Sequence, residues 1–175
     1  MLSYFNTSAQ SGCDTIFWSS TKKLLSADFK DIADTGKTTI AFTMTRFAYK
    51  VFPQDNAVII NTSTTFLPCN SWLNKTNIKN SVAHEQLHFD ITEYYKRLFL
   101  RRVSETQSTQ DMFATTTRAI FRDLSDQRRM MNMEYDRQTN YGLNEEEQNK
   151  WNIKINNLLA VLEKYAANTI TINLK

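Results

Sequence analysis

His84-Glu85-Gln86-Leu87-His88 runs on as Phe89-Asp90-Ile91-Thr92-Glu93-Tyr94-Tyr95-Lys96-Arg97 and holds both histidines of the 175-residue chain. On an α-helix a spacing of four sets two imidazoles on one face, one turn apart, where a single zinc ion can take both. Glu85 follows the first histidine, about 100° further round the axis. From there a carboxylate reaches a water on the ion without competing as a ligand. A glutamate in that place has no part in merely holding zinc, so the pentad predicts hydrolytic chemistry with Glu85 as general base.

The helix that carries the pentad is expected over residues 76–102. Ile91, Tyr95 and Leu98 fall near the histidine face, so the metal ligands border an apolar stripe. Asp90, Glu93 and Arg97 fall on the other side. They read as surface or supporting ion pairs, Glu93 and Arg97 being four apart. Lys96, Arg97, Arg101 and Arg102 read as a solvated helix end, where cations suit the macrodipole.

Upstream the pattern changes from helical to alternating. Thr15-Ile16-Phe17-Trp18 is a short apolar run, and Ser26 or Asp28 suits a capped turn. From Thr38, residues Ile40, Phe42 and Met44 alternate with polar neighbours in a strand pattern that extends towards Pro53. Residues 58–66 are rich in β-branched side chains and are closed by Pro68, which predicts a second strand. Downstream, Phe113, Thr117, Ile120, Leu124, Met131 and Tyr135 make a helical stripe that stops before Gly142, a residue suited to a left-handed C-terminal conformation. Asn144 with Glu147 forms an N-cap pair for a third helix, with Trp151, Ile155, Leu158, Leu162 and Tyr165 on one face. Residues 169–174 alternate as a closing strand. The expected class is α+β: a mostly antiparallel N-terminal sheet, three helices of which the first carries the histidines, and a short C-terminal strand, in one domain over residues 1–175.

Composition bounds the function. At 41% hydrophobic and 22% charged residues the chain is an ordinary globular one, and a mixed net charge of +3 gives no nucleic-acid footprint. No apolar run approaches the ~20 residues needed to span a bilayer, and the opening Met1-Leu2-Ser3-Tyr4-Phe5 does not read as a signal peptide. Cys13 and Cys69 either pair in an oxidising compartment or stand as two free thiols.

Catalytic zinc wants three protein ligands and an open position. With no histidine left and the cysteines far from the motif, the third ligand is a carboxylate or a phenol. Glu105 and Glu134 are candidates by chemistry. Asp136 and Tyr141 are better placed, where the second helix ends and irregular backbone can fold back over the first.

The pentad as His84-Glu85-Gln86-x-His88-Phe89-Asp90-Ile91-x-Glu93, preceded by Phe66 and Ser71-Trp72, resembles a bacterial domain family of unknown function described as predicted secreted zinc-dependent proteases. The likeness extends to Trp18, Lys23-Leu24, Asp28-Phe29, Tyr135-Asp136-x-x-Thr139-x-x-Gly142, Gln148 and Trp151, and so covers nearly the whole chain. In that family the segment usually reads Tyr-Asp-x-x-Thr-x-His-Gly, and the histidine is the natural third ligand. Tyr141 stands in its place here, leaving direct binding by Tyr141, takeover by Asp136, or a degenerate site. The resemblance implies a zincin-like fold, a secreted or cell-envelope location, and peptide or protein substrates. The expected activity is zinc-dependent peptide hydrolysis, with Tyr141 or Tyr95 donating to the developing oxyanion. The alternative is a catalytically degenerate zinc-binding or peptide-binding envelope protein. By analogy with zincins, an extended substrate is expected to pair with the 58–66 strand.

Overall fold

The computed structural model describes residues 13–33, 41–73, 78–106 and 109–174. The first and last stretches of the 38–53 alternation fare differently: residues 38–40 lie outside the described part, and the remainder forms two strands. The short β2 (Ala41–Phe42) and the long β3 (Thr45–Gln54) are separated by a corner at Thr43 and Met44. The corner is pinned by buried Ser71, whose hydroxyl accepts from Met44 N and donates to Leu67 O. With β1 (Ile16–Phe17) counted before them, β4 (Ala57–Phe66) follows β3 through a tight hairpin whose register runs without a slip from Gln54↔Ala57 to Thr45↔Phe66.

β4 is the central strand. One side pairs with β3, and the other pairs with β6 (Thr169–Asn173) along its first half and with β1 at its far end, all antiparallel. The 58–66 run therefore presents no free edge, and the expectation that a substrate strand adds to it is corrected: a β-branched run flanked by strands on both sides has its backbone groups already used. A second, two-stranded sheet joins β2 to β5 (Trp72–Leu73).

Three helices follow, as the sequence predicts. α1 spans Ile78–Glu105, α2 Gln110–Thr139 and α3 Glu145–Val161. Phe47, Val58, Ile60 and Ile172 of the sheet pack on Leu87, Ile91, Tyr95 and Phe99 of α1, with Phe113, Leu124 and Tyr135 of α2 and Trp151 and Ile155 of α3 closing the core. Each fully buried side chain of this size contributes about 1.5–3 kcal/mol. The third-helix stripe is Trp151, Ile155, Leu159 and Leu162, with Leu158 only half buried, and a short turn over Glu163–Tyr165 precedes β6.

A second cluster of Leu24, Phe66 and Phe89 lies on another side of α1, under Ile16, Trp18 and Phe29. The Cys13–Cys69 disulfide fastens this N-terminal segment to the turn after β4. Covered in this way, α1 has no solvated face along its middle. Asp90, Glu93, Lys96 and Arg97 are all buried, against the expectation of a polar outer side. Arg101 and Arg102, nearer the end, are partly exposed, as a solvated terminus requires. The Glu93–Arg97 pair forms as expected, but in the interior.

Candidate metal centre

α1 and α2 are joined by a short connection and meet along matching four-residue steps. His84, His88 and Thr92 on α1 face Asp136, Asn132 and Arg128 on α2. The imidazoles converge: His84 Nε2 and His88 Nε2 lie 3.3 Å apart. Asp136 Oδ1 sits 3.1 Å from the first and 2.9 Å from the second. Zinc bonds of about 2.0–2.1 Å set the corners of a tetrahedron about 3.3–3.4 Å apart, so these three donor atoms are close to metal-ligand spacing. Glu85 is buried beside them, with ligand atoms of His84, Glu85 and His88 all within 4.8 Å of one another, a group that could hold a metal ion.

The imidazoles are oriented from behind. His84 Nδ1 faces Gln148 Oε1 at 3.1 Å, and His88 Nδ1 faces Asn132 Oδ1 at 2.6 Å. Both amides are fixed the right way round by a second bond: Gln148 Nε2 donates to Asn152 Oδ1, and Asn132 Nδ2 donates to Arg128 O. Each Nδ1 is therefore the protonated donor, which leaves Nε2 to carry the lone pair towards Asp136. Two lone pairs and a carboxylate oxygen within about 3.3 Å repel unless a cation or proton lies among them.

The electrostatics of these side chains follow. Burial opposes a charged His88, but the hydrogen bond to Asp136 and the charges of Glu85 and Asp136 outweigh it and raise its pKa to about 9. Burial also opposes the Asp136 carboxylate, yet the two imidazoles hold it well below the ordinary carboxylate range. A proton on His88 thus does what a metal would do. The donor set, two neutral imidazoles and a carboxylate, suits zinc.

One carboxylate oxygen of Glu85 is left over. Its Oε2 is buried and has no hydrogen-bond partner among the described residues. The site opens into a cleft of about 520 Å³ between the Ala41–Thr45 corner and α2. Tyr141 lines this cleft, half exposed, in a left-handed run with Asn140 and Gly142 that reverses the chain into α3. Asn144 caps α3 as predicted, its Oδ1 accepting from Glu147 N.

Other candidates fall away from the cleft. Glu134 accepts from Gln138 on the outer side of α2, and Glu105 pairs with Arg101. Tyr95 packs in the main core and does not line the cleft, so its phenol is not available to a substrate there. Sequence reasoning on the motif alone missed Asn132 as the support of His88. Its only signal is that it precedes Asp136 by four residues on the same helix. Among the described residues, no helix is long and apolar enough to cross a membrane. No protein family, curated protein or solved structure matches the chain.

Proposed function

We propose that the protein is a zinc-dependent peptidase with a zincin-like fold, in which His84, His88 and Asp136 hold the ion and Glu85 is the general base. The observation that carries this reading is the pairing of three convergent donor atoms with the unpartnered, buried Oε2 of Glu85 at the floor of an open cleft. A polar atom buried without a partner costs about 1–3 kcal/mol, which fits a group kept for a water and a substrate.

When bound, the ion supplies Lewis-acid polarisation of the scissile carbonyl and a more acidic water. Glu85 takes the proton of the attacking water and returns it to the leaving amide nitrogen. Asn132 and Gln148 keep both imidazoles in the tautomer that turns Nε2 inward. Asp136 completes the ligand set in this reading, and Tyr141 stands at the cleft wall as a phenol within the substrate's reach, suited to hydrogen-bonding an oxyanion. The Cys13–Cys69 disulfide supports a secreted or envelope location, since such bonds persist in oxidising compartments.

The test uses the full chain purified without a histidine tag. Near-stoichiometric zinc by elemental analysis, with hydrolysis of a mixed peptide library by the wild type and none by Glu85→Gln, is the expected result. Zinc without hydrolysis selects the degenerate, peptide-binding alternative. Absence of bound zinc, with no uptake on titration, sinks the proposal.

A further inference from the structure

The cleft has a charged feature that hydrolysis alone does not use. Arg128 lines it, one rung further along the α1–α2 ladder than Asn132 and His88. Its Nη1 makes only long contacts with neutral oxygens, 3.3 Å to Thr92 Oγ1 and 3.4 Å to Thr45 O. Its Nε is buried with no partner among the described residues. Among the described residues no carboxylate lies within ion-pair distance of the guanidinium, although Asp126 stands on the same wall. Burial lowers the Arg128 pKa, and among the described residues no acidic group offsets it. The contrast with Arg97 is direct, because that buried guanidinium is matched by Glu93 and Glu163.

An unmatched guanidinium in a half-buried place is costly to keep, and a neutral side chain would bridge Thr92 and Thr45 more cheaply. A second donor nearby has the same character: Thr43 Oγ1, on the opposite wall of the cleft, is buried and has no partner among the described residues.

Resting on the peptidase reading of this cleft, we propose that Arg128 is the specificity residue that receives a carboxylate of the substrate. Planar guanidinium matches carboxylate by paired hydrogen bonds, which is the task that separates arginine from lysine. The spacing sets where that carboxylate lies. Thr92, which Arg128 touches, is four residues beyond His88, about 6 Å along the helix axis. An extended chain advances about 3.3 Å per residue, so the carboxylate lies about two residues from the bond being cut. Either a free C-terminus or an acidic side chain supplies that chemistry.

The test measures binding, and so does not depend on turnover. Four probes are titrated calorimetrically into the full chain with zinc, in the Glu85→Gln background: an acetylated tri-alanine with a free carboxylate, its C-terminal amide, and the amide with glutamate or glutamine in the middle. The expected result is at least tenfold tighter binding of one carboxylate probe than of its amide partner. The free-carboxylate pair reports a C-terminal site, and the glutamate–glutamine pair an acidic side-chain site. Arg128→Met collapses that ratio to about one. Arg128→Gln, which keeps a donor for Thr92 and drops the charge, does the same and guards against a folding defect in the first variant. Arg128→Lys keeps part of the ratio. Equal affinities within both pairs for the Arg128 protein, no binding of any probe, or a ratio that survives both neutral variants would overturn the assignment. A protein that prefers the carboxylate yet hydrolyses nothing without the Glu85 change keeps this inference and loses the peptidase one.

Discussion

Tyr135 lies flat on His84, with ring centroids 4.4 Å apart and planes 19° apart, and its hydroxyl reaches the same Gln148 oxygen that His84 Nδ1 addresses. The phenol proton is shared between Gln148 Oε1 at 2.8 Å and His84 O at 3.1 Å. Burial pushes the phenol far above its ordinary pKa, so it stays a donor at any working pH. Tyr135 therefore holds the first histidine by ring and by backbone, though it cannot touch a metal itself.

Tyr135→Phe keeps the stacked ring and removes only the donor. Two buried acceptors lose a partner, and a loss of about 1–3 kcal/mol in folding stability is expected by urea denaturation of the metal-free protein. Zinc affinity falls as well, by roughly 10-fold, the lower end for a support of a metal-bound histidine. A variant that binds zinc as tightly as the wild type would show that Gln148 alone suffices.

Gly142 sits behind the same histidine. Its φ of +82° is the left-handed region, and a Cβ there would lie 2.9 Å from His84 Cβ and 3.1 Å from Cγ. Gly142→Ala is expected to lose about 1–2 kcal/mol from backbone conformation alone, plus the displacement of His84. The displacement makes this change worse for zinc binding than Tyr135→Phe, which a competition titration with a chelator measures.

The pH dependence of the metal-free protein follows from His88. Its folded pKa of about 9 lies above the ordinary value near 6.5, so its contribution is full below pH 6.5 and disappears as pH rises through 9. A shift of that size corresponds to about 3 kcal/mol, and denaturation midpoints should fall across that window. Asp136 acts at the other end: its depressed pKa stabilises the fold above the ordinary carboxylate value, and that contribution is lost as pH falls towards the folded one. Zinc must displace the His88 proton, so binding at pH 7 releases about one proton. Calorimetry in buffers of different ionisation enthalpy counts it.

The helices and the two imidazoles were legible because period and spacing are local: the stripe of Phe113, Leu124 and Tyr135, the Asn144 cap and the left-handed Gly142 all follow from residues within a few positions. The α+β order was legible for the same reason. What covers α1 was not. Trp18 Nε1 donates to Asp90 Oδ1 at 2.6 Å across 72 residues, and that partnership, like Asn132 with His88, is set by tertiary packing rather than by spacing. The corner at Thr43 and Met44 was also hidden, because an alternating run reads as one strand until a distant hydroxyl, here Ser71, takes a backbone amide out of the ladder. Phe42 and Met44 end up partly exposed on the cleft wall.

The interior charges of α1 give the last prediction. Glu93 is 2% exposed and accepts from Lys96 Nζ at 3.0 Å and Arg97 Nε at 2.9 Å. Lys96, with no exposed surface, also donates to Ala166 O and Asn168 Oδ1, and Arg97 Nη1 to Leu159 O and to Glu163. This network ties α1 to the end of α3 and the approach to β6. Removing the one carboxylate shared by both cations leaves two buried charges short of a partner, and Glu93→Gln should cost about 3–5 kcal/mol. Lys96→Met should cost less, because burial already lowers the lysine pKa and Glu93 keeps Arg97. Both changes lie beyond the histidines on α1, so zinc affinity measured below the unfolding transition should stay within about twofold of the wild type, as expected for sites that do not share partners. A Glu93→Gln protein that unfolds at the wild-type midpoint would mean that the two cations find solvent or each other's acceptors instead.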